Sequence, residues 1–266
     1  MDRTTVFGIT LGVLVVGVGL YMKGVNLGAL LNPAAILIIF AGTAAAVLIA
    51  FPASTIKTIP KLMTVIFKEV DRKNKAEIIQ QFTHWAHLTR REGILILEQE
   101  IEKTEDPFLK SGLRLVVDGQ PPDFIRDVML EKVGAMEERH HTGAEIFTQA
   151  GTYAPTLGVL GAVVGLIAAL GNMEDMAILG AAISAAFMAT LFGIFSGYVL
   201  WHPFASKLRK KSSEEVQEKR MIIEGLLSLT SGESPRTLQE KLSSYLSTEE
   251  LAHLQEEPES AYEEAS

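Results

Sequence analysis

Thr156 and Thr190 are the side chains of this sequence best suited by type and position to handle an ion, because each sets a hydroxyl inside a long apolar stretch. Thr156 stands fourteen residues before Leu170 and Thr190 twelve after Ile178. In helices, both then lie about 18–21 Å from the outer ends of their stretches. Two hydroxyls at matching depth are able to hydrogen-bond a carboxylate or a hydrated ion. The plainer alternative is that each bonds its own helix backbone, as threonine commonly does. Pro155, next to Thr156, removes a backbone donor and frees a carbonyl at that level, which weighs toward the ion.

The elements that must position these residues are two apolar runs, Tyr153 to Leu170 and Ala181 to Trp201, joined by the polar link Gly171 to Asp175. As helices they measure about 27–32 Å, enough to cross a hydrocarbon core. Val6 to Met22 and, behind Pro33, Ala34 to Phe51 make two more such runs. A signal peptide is the rival reading of the first run, but no small-x-small cleavage site follows it. None of the four spans holds Asp, Glu, Lys, Arg or His. Intramembrane charges are costly and kept only for use, so any ion path here takes its titrating group from a partner chain. The spans do offer close-packing faces: Gly161 and Gly165 in the third, and Ala185, Ala189, Gly193 and Gly197 at steps of four in the fourth.

Lys57, Lys61, Lys68, Arg72, Lys73, Lys75, Arg90 and Arg91 gather in the segment after the second span, and Lys207, Arg209, Lys210 and Lys211 follow the fourth. The positive-inside rule makes these segments cytoplasmic, and an even number of spans puts both termini there too. The pattern predicts an all-α integral membrane protein with four transmembrane helices and a cytoplasmic helical domain, the third and fourth spans extended into the cytoplasm. The expected division is 1–51, a first hairpin; 52–149, cytoplasmic; 150–203, the second hairpin; 204–255, a cytoplasmic extension to about Leu229 and a last helix from Thr237 to Leu246; and 256–266, a disordered acidic tail. Ile56, Ile59, Leu62, Val65 and Ile66 recur at helical spacing as an interfacial or a core-facing helix.

The net charge of -8 owes much to the five glutamates of the last eleven residues, so nothing here suits nucleic acid. With no cysteine there is no disulfide, thiolate nucleophile or cysteine-bound metal. His140 and His141 are adjacent and splay apart on a helix, so no metal site and no cofactor is expected. P-loop, HExxH, GxSxG and dinucleotide patterns are absent, and no enzyme is expected.

Four stretches carry a resemblance: 32–43 (NPAAILIIFAGT), 85–98 (WAHLTRREGILILE), 151–161 (GTYAPTLGVLG) and 201–204 (WHPF). Through them the sequence resembles the motility protein A (MotA) family of flagellar stator subunits, Bacillus-type in particular. ExbB and TolQ energy transducers are related but resemble a three-span layout. The resemblance implies a bacterial inner-membrane protein that forms a ring around a single-span, peptidoglycan-binding partner of the MotB type, whose aspartate carries the ion. It further implies that Pro155, Thr156 and Thr190 line the path, that Arg90 and Glu98 engage the rotor switch protein FliG, and that Pro203 couples the two. The ion expected by resemblance is H+, with Na+ the alternative. A non-conducting membrane scaffold and an ExbB-like transducer are the other classes weighed.

Overall fold

The computed structural model describes residues 2–25, 32–68, 75–171, 173–248 and 250–251, among which helix is the only regular structure. The acidic tail, 256–266, and most of the first interhelical loop lie outside the described residues. Four helices are long and apolar enough to cross a membrane: α1 (Arg3–Met22), α2 (Pro33–Ala50), α8 (Pro122–Leu170) and α9 (Met176–Thr230). Between α2 and α8 lie α3 (Ala53–Ile56), α4 (Ile59–Phe67), α5 (Lys75–Glu92), α6 (Leu97–Lys103) and α7 (Pro107–Val117), and α10 (Pro235–Ser243) follows α9. The third and fourth spans thus continue as single helices well beyond their apolar runs.

Helix ends follow local chemistry. Asp2 caps α1 by accepting from the Thr5 N–H at 3.3 Å, Asn32 caps α2 through Ala35, and Asp175 caps α9 through Ala177 and Ile178. That last cap starts α9 at Met176, five residues before the apolar run.

Two π turns interrupt the spans, Leu37–Ala41 in α2 and Ser196–Trp201 in α9. In α2 the buried positions are Ala35, Ile39, Thr43 and Val47, a strict step of four. On an α-helix such a stripe drifts by about 40° per step. A wider turn takes up part of that drift and helps keep all four on one face. In α9 the π turn lies just ahead of Pro203, which has no N–H to give, and the His202 N–H reaches back five residues to the Gly197 carbonyl.

The chain packs as two compact units, Met1–Val70 with Arg139–Lys211, and Asp71–Glu138 with Ser212–Ser266. The first therefore includes α3 and α4, which the sequence assigns to the 52–149 segment. Ile66 of α4 is fully buried in a cluster with Ala144, Phe147, Phe204 and Ala205, so this helix faces a protein core there. The N-terminus is bound into the same unit. Asp2 holds Lys207 Nζ at 2.5 Å, its N–H donates to the Phe67 carbonyl at 2.8 Å, and Lys211 Nζ donates to the Val65 and Lys68 carbonyls at 2.5 and 2.8 Å. The Lys207 hydrogen bond keeps the Asp2 carboxyl far below its ordinary range.

In the second unit Phe82, Trp85, Leu97, Leu113, Ile125, Met129, Met221, Ile222 and Leu226 form a closed core. Beside it Asp106 caps α7 through the Phe108 N–H at 2.8 Å and pairs with Lys219 at 2.7 Å. Burial raises the Asp106 pKa, but the Lys219 hydrogen bond and charge outweigh it and leave it lowered. Lys219→Met strands that carboxylate, and the expected loss is about 3 kcal/mol, the order measured for broken buried pairs. Thermal unfolding of the detergent-solubilised protein reads it as a lower Tm. Because the folded pKa lies below the unfolded one, the pair's contribution is complete above the ordinary carboxylate range and drains away as pH falls through the folded value. The gap between the two proteins must therefore close on acidification; a gap that widens toward low pH contradicts this account.

Candidate functional site

The third and fourth spans meet along an antiparallel ladder of small residues. A Cβ built on Gly165 would come 2.9 Å from the Ala186 methyl, and one on Gly161 would come 3.0 Å from the Ala189 methyl. One on Gly158 would come 2.9 Å from the Ala189 carbonyl, and one on Gly193 would come 2.7 Å from the Ala154 carbonyl. The ladder continues through Gly197, opposite Pro155 and the Gly151 carbonyl, to Gly151 against the His202 ring. Backbones pack this closely because no side chain intervenes, and dispersion replaces the hydrophobic force that lipid cannot supply.

The tier at Gly165 differs from a strict step of four. Its nearest atoms all belong to Ala186, so Ala185 sits one residue and about 100° off the contact line. Over several turns the contact stripe must take a step of three to stay on one face, and it does so between Ala189 and Ala186.

Pro155 lies inside α8 without bending it out of helix, and its missing N–H leaves the Gly151 carbonyl without its usual donor. A Cβ on Gly197 would stand 2.8 Å from that oxygen and 2.8 Å from Pro155 Cγ. Gly197 therefore lets the fourth span approach the freed carbonyl, where its Cα hydrogens offer a weak contact. The sequence shows Pro155 but not this partner.

Thr190 is half-buried on the ladder, its Cα 3.4 Å from the place of a Gly158 Cβ, while Thr156 is exposed on α8. Both hydroxyls bond their own helices, Thr190 to the Ala186 carbonyl at 3.5 Å and Thr156 to the Thr152 carbonyl at 3.2 Å. The same bond is 2.9 Å for Thr10, 2.8 Å for Thr83 and 2.9 Å for Thr230. Thr156 and Thr190 thus hold their carbonyls more loosely than those three, and an O–H at that length is free to exchange for a better acceptor. With its proton on the helix carbonyl, each oxygen is able to accept from a donor such as a protonated carboxyl. After rotation it donates to a carboxylate.

Pro203 is exposed, two residues after the π turn. Around it Trp201 packs on Phe147 and Phe204 with ring centroids 6.3 and 6.2 Å apart.

In the second unit Arg90 and Glu98 lie on either side of a sharp break. Gly93, at φ +85°, ends α5, and the short 3-10 turn Ile94–Ile96 leads into α6. Arg90 occupies the last turn of one helix and Glu98 the first turn of the next, each where the helix dipole favours its charge. Both are exposed, and neither holds a hydrogen bond or ion pair among the described residues, so both charges are open to a partner. The fully buried Trp85 fixes the two helices, donating from Nε1 to Glu100 at 3.1 Å. Lys103, hydrogen-bonded to Glu100 at 2.7 Å, is the main reason the Glu100 carboxyl lies below its ordinary range; partial burial opposes the shift. Sequence reasoning passes over this pin, whose one signal is a tryptophan in an otherwise amphipathic helix.

Among the described residues no group of three or more His, Asp or Glu is placed to hold a metal ion.

Comparison with known proteins matches residues 6–93 to the motility protein A N-terminal family and residues 100–221 to the MotA/TolQ/ExbB proton channel family. The chain is 58% identical to motility protein A of Bacillus subtilis, over 92% of this chain and 91% of that one. It superposes with a TM-score of 0.89 on a solved flagellar MotAB stator complex of the same organism, at 57% identity, covering 93% and 97% of the two chains. The MotAB structure of C. jejuni gives the same TM-score and coverage at 32% identity.

Proposed function

The chain belongs to the motility protein A family, and from that premise we propose that it is the ring-forming membrane subunit of a flagellar stator, converting inward ion flow into torque. The observation that carries this reading is the pairing of a close-packed, hydroxyl-bearing crossing with spans that hold no Asp, Glu, Lys, Arg or His. Such a crossing shapes a path but has no group to load. The missing carboxylate belongs to a MotB-type partner anchored to peptidoglycan, around whose membrane helices several copies of this chain assemble.

In this scheme the inner membrane holds the four spans, and both termini and the second unit face the cytoplasm. A carboxyl protonated from outside is neutral and passes along the Thr190 and Pro155 level, where the threonine oxygen accepts its O–H. Once deprotonated it draws the Thr190 hydroxyl away from the Ala186 carbonyl. The two charge states thus prefer different arrangements of the ladder, and the ring steps between them. Pro203, two residues beyond the π turn, passes the step to the cytoplasmic part, where Arg90 and Glu98 act on the rotor switch protein FliG.

We assign protons as the ion. In a strain lacking its own stator and complemented with this chain and its partner, swimming speed at fixed pH should be independent of external sodium and fall to zero with a protonophore. Speed that follows sodium and survives the protonophore assigns the ion to sodium. Absence of swimming in every condition, with the complex assembled, counts against the stator reading.

A further inference from the structure

Below Thr156 one face of α8 carries hydroxyls at successive turns: Thr148, Thr152 and Thr156. Each donates to the carbonyl one turn back, Thr156 to Thr152 at 3.2 Å, Thr152 to Thr148 at 3.1 Å and Thr148 to Ala144 at 3.2 Å. All three are long for O–H···O bonds, and Thr152 and Thr156 keep their oxygen lone pairs free to meet water. Thr152 and Thr156 are exposed. At the foot, Arg209 Nη1 donates to Thr148 Oγ1 at 3.0 Å, and Gln149 donates to Glu145 at 2.9 Å on the adjoining line. Above Thr156 the helix changes character: Val159, Leu160 and Val163 are each about half exposed and offer no polar atom. An apolar wall excludes water where a hydroxyl wall admits it.

We propose that the Thr148–Thr152–Thr156 face is the inner limb of the ion path, wetted from the cytoplasm. Thr152 is the relay between the Thr156 level and bulk water, and Arg209 is a fixed positive charge that guards the foot. The inference rests on the channel reading above. The limb is short, about 6 Å from Thr156 to Thr152 and about 12 Å to Thr148, so release inward is quick, and the apolar outer limb is the barrier the partner must open. Arg209, held on Thr148, places a fixed positive charge at the foot that repels cations there.

The absence of cysteine makes the test direct. Inside-out membrane vesicles carrying the full complex, with a cysteine-free partner lacking any plug segment, are first assayed for proton flux and then exposed to a cationic, membrane-impermeant methanethiosulfonate. Thr152→Cys should react at least tenfold faster than Val163→Cys and lose its flux on labelling. Adding Arg209→Gln should speed the cationic reagent at Thr152→Cys severalfold and slow an anionic one. Thr152→Val should conduct at least threefold less than wild type, and Thr152→Ser within twofold of it. In a conducting wild-type complex, equal labelling of the two cysteines, or wild-type flux through Thr152→Val, overturns the inner limb and leaves the channel standing. Labelling rates unmoved by Arg209→Gln overturn the guard. A wild-type complex without flux overturns the channel reading itself and the limb with it, and that result is in hand before labelling begins.

Discussion

Gly193→Leu is expected to leave almost no assembled complex in the membrane and no motility. Even a Cβ at this position would stand 2.7 Å from the Ala154 carbonyl oxygen and 2.8 Å from Gly158 Cα. Both obstacles are helix backbone, which does not swing aside as a side chain can, and a leucine adds three further carbons. The third and fourth spans must separate, which also undoes the neighbouring contacts at Gly158, Gly161 and Gly197. In lipid no hydrophobic force drives the separated helices together again. Gly180 has nothing within 4 Å of its would-be Cβ, so Gly180→Ala serves as the control and should behave as wild type. Membrane-fraction blots, co-purification with the partner and soft-agar swimming measure the three quantities. Normal accumulation and swimming of Gly193→Leu would show that the crossing is not the essential contact.

The second large effect is at Thr190 and separates function from assembly. Thr190→Leu should abolish swimming in a complex that still co-purifies with its partner. Because the residue is half-buried beside Gly158, the isosteric Thr190→Val is the sharper variant, preserving shape while deleting the hydroxyl. Its speed is expected to fall at least tenfold, whereas Thr190→Ser, which keeps the oxygen, retains most of it. The reason is the exchange that the 3.5 Å bond to Ala186 permits: a hydroxyl accepts from a protonated carboxyl and donates to a carboxylate, and valine does neither. Wild-type swimming by Thr190→Val takes Thr190 out of the path whatever its place on the ladder.

These two residues also mark the boundary of what the chain's letters reveal. Four spans follow from run length and apolarity, because crossing a hydrocarbon layer is a demand each helix meets alone. The continuation of α8 and α9 beyond the membrane runs was legible for a similar reason: no glycine or proline pair breaks the helical period before Leu170 or from Pro203 to Thr230. The empty charge column of the spans was equally plain, and with it the need for a partner's titrating group in any ion path.

Pairing was not legible. That Gly165 meets Ala186 rather than Ala185, that Gly197 covers the carbonyl Pro155 sets free, and that Trp85 pins α5 to α6 through Glu100 depend on the relative register of two helices. Register is fixed by the joint packing of many side chains, none of which announces its partner. The same limit applies to the π turns. A stripe of step four in the sequence drifts around a regular helix, and only the neighbour it packs against decides whether the helix widens to hold that stripe in place. Sequence alone therefore determined which segments enter the membrane and what chemistry they lack; the tertiary structure decided which backbones touch, and so where Thr190 and Gly193 sit on the crossing.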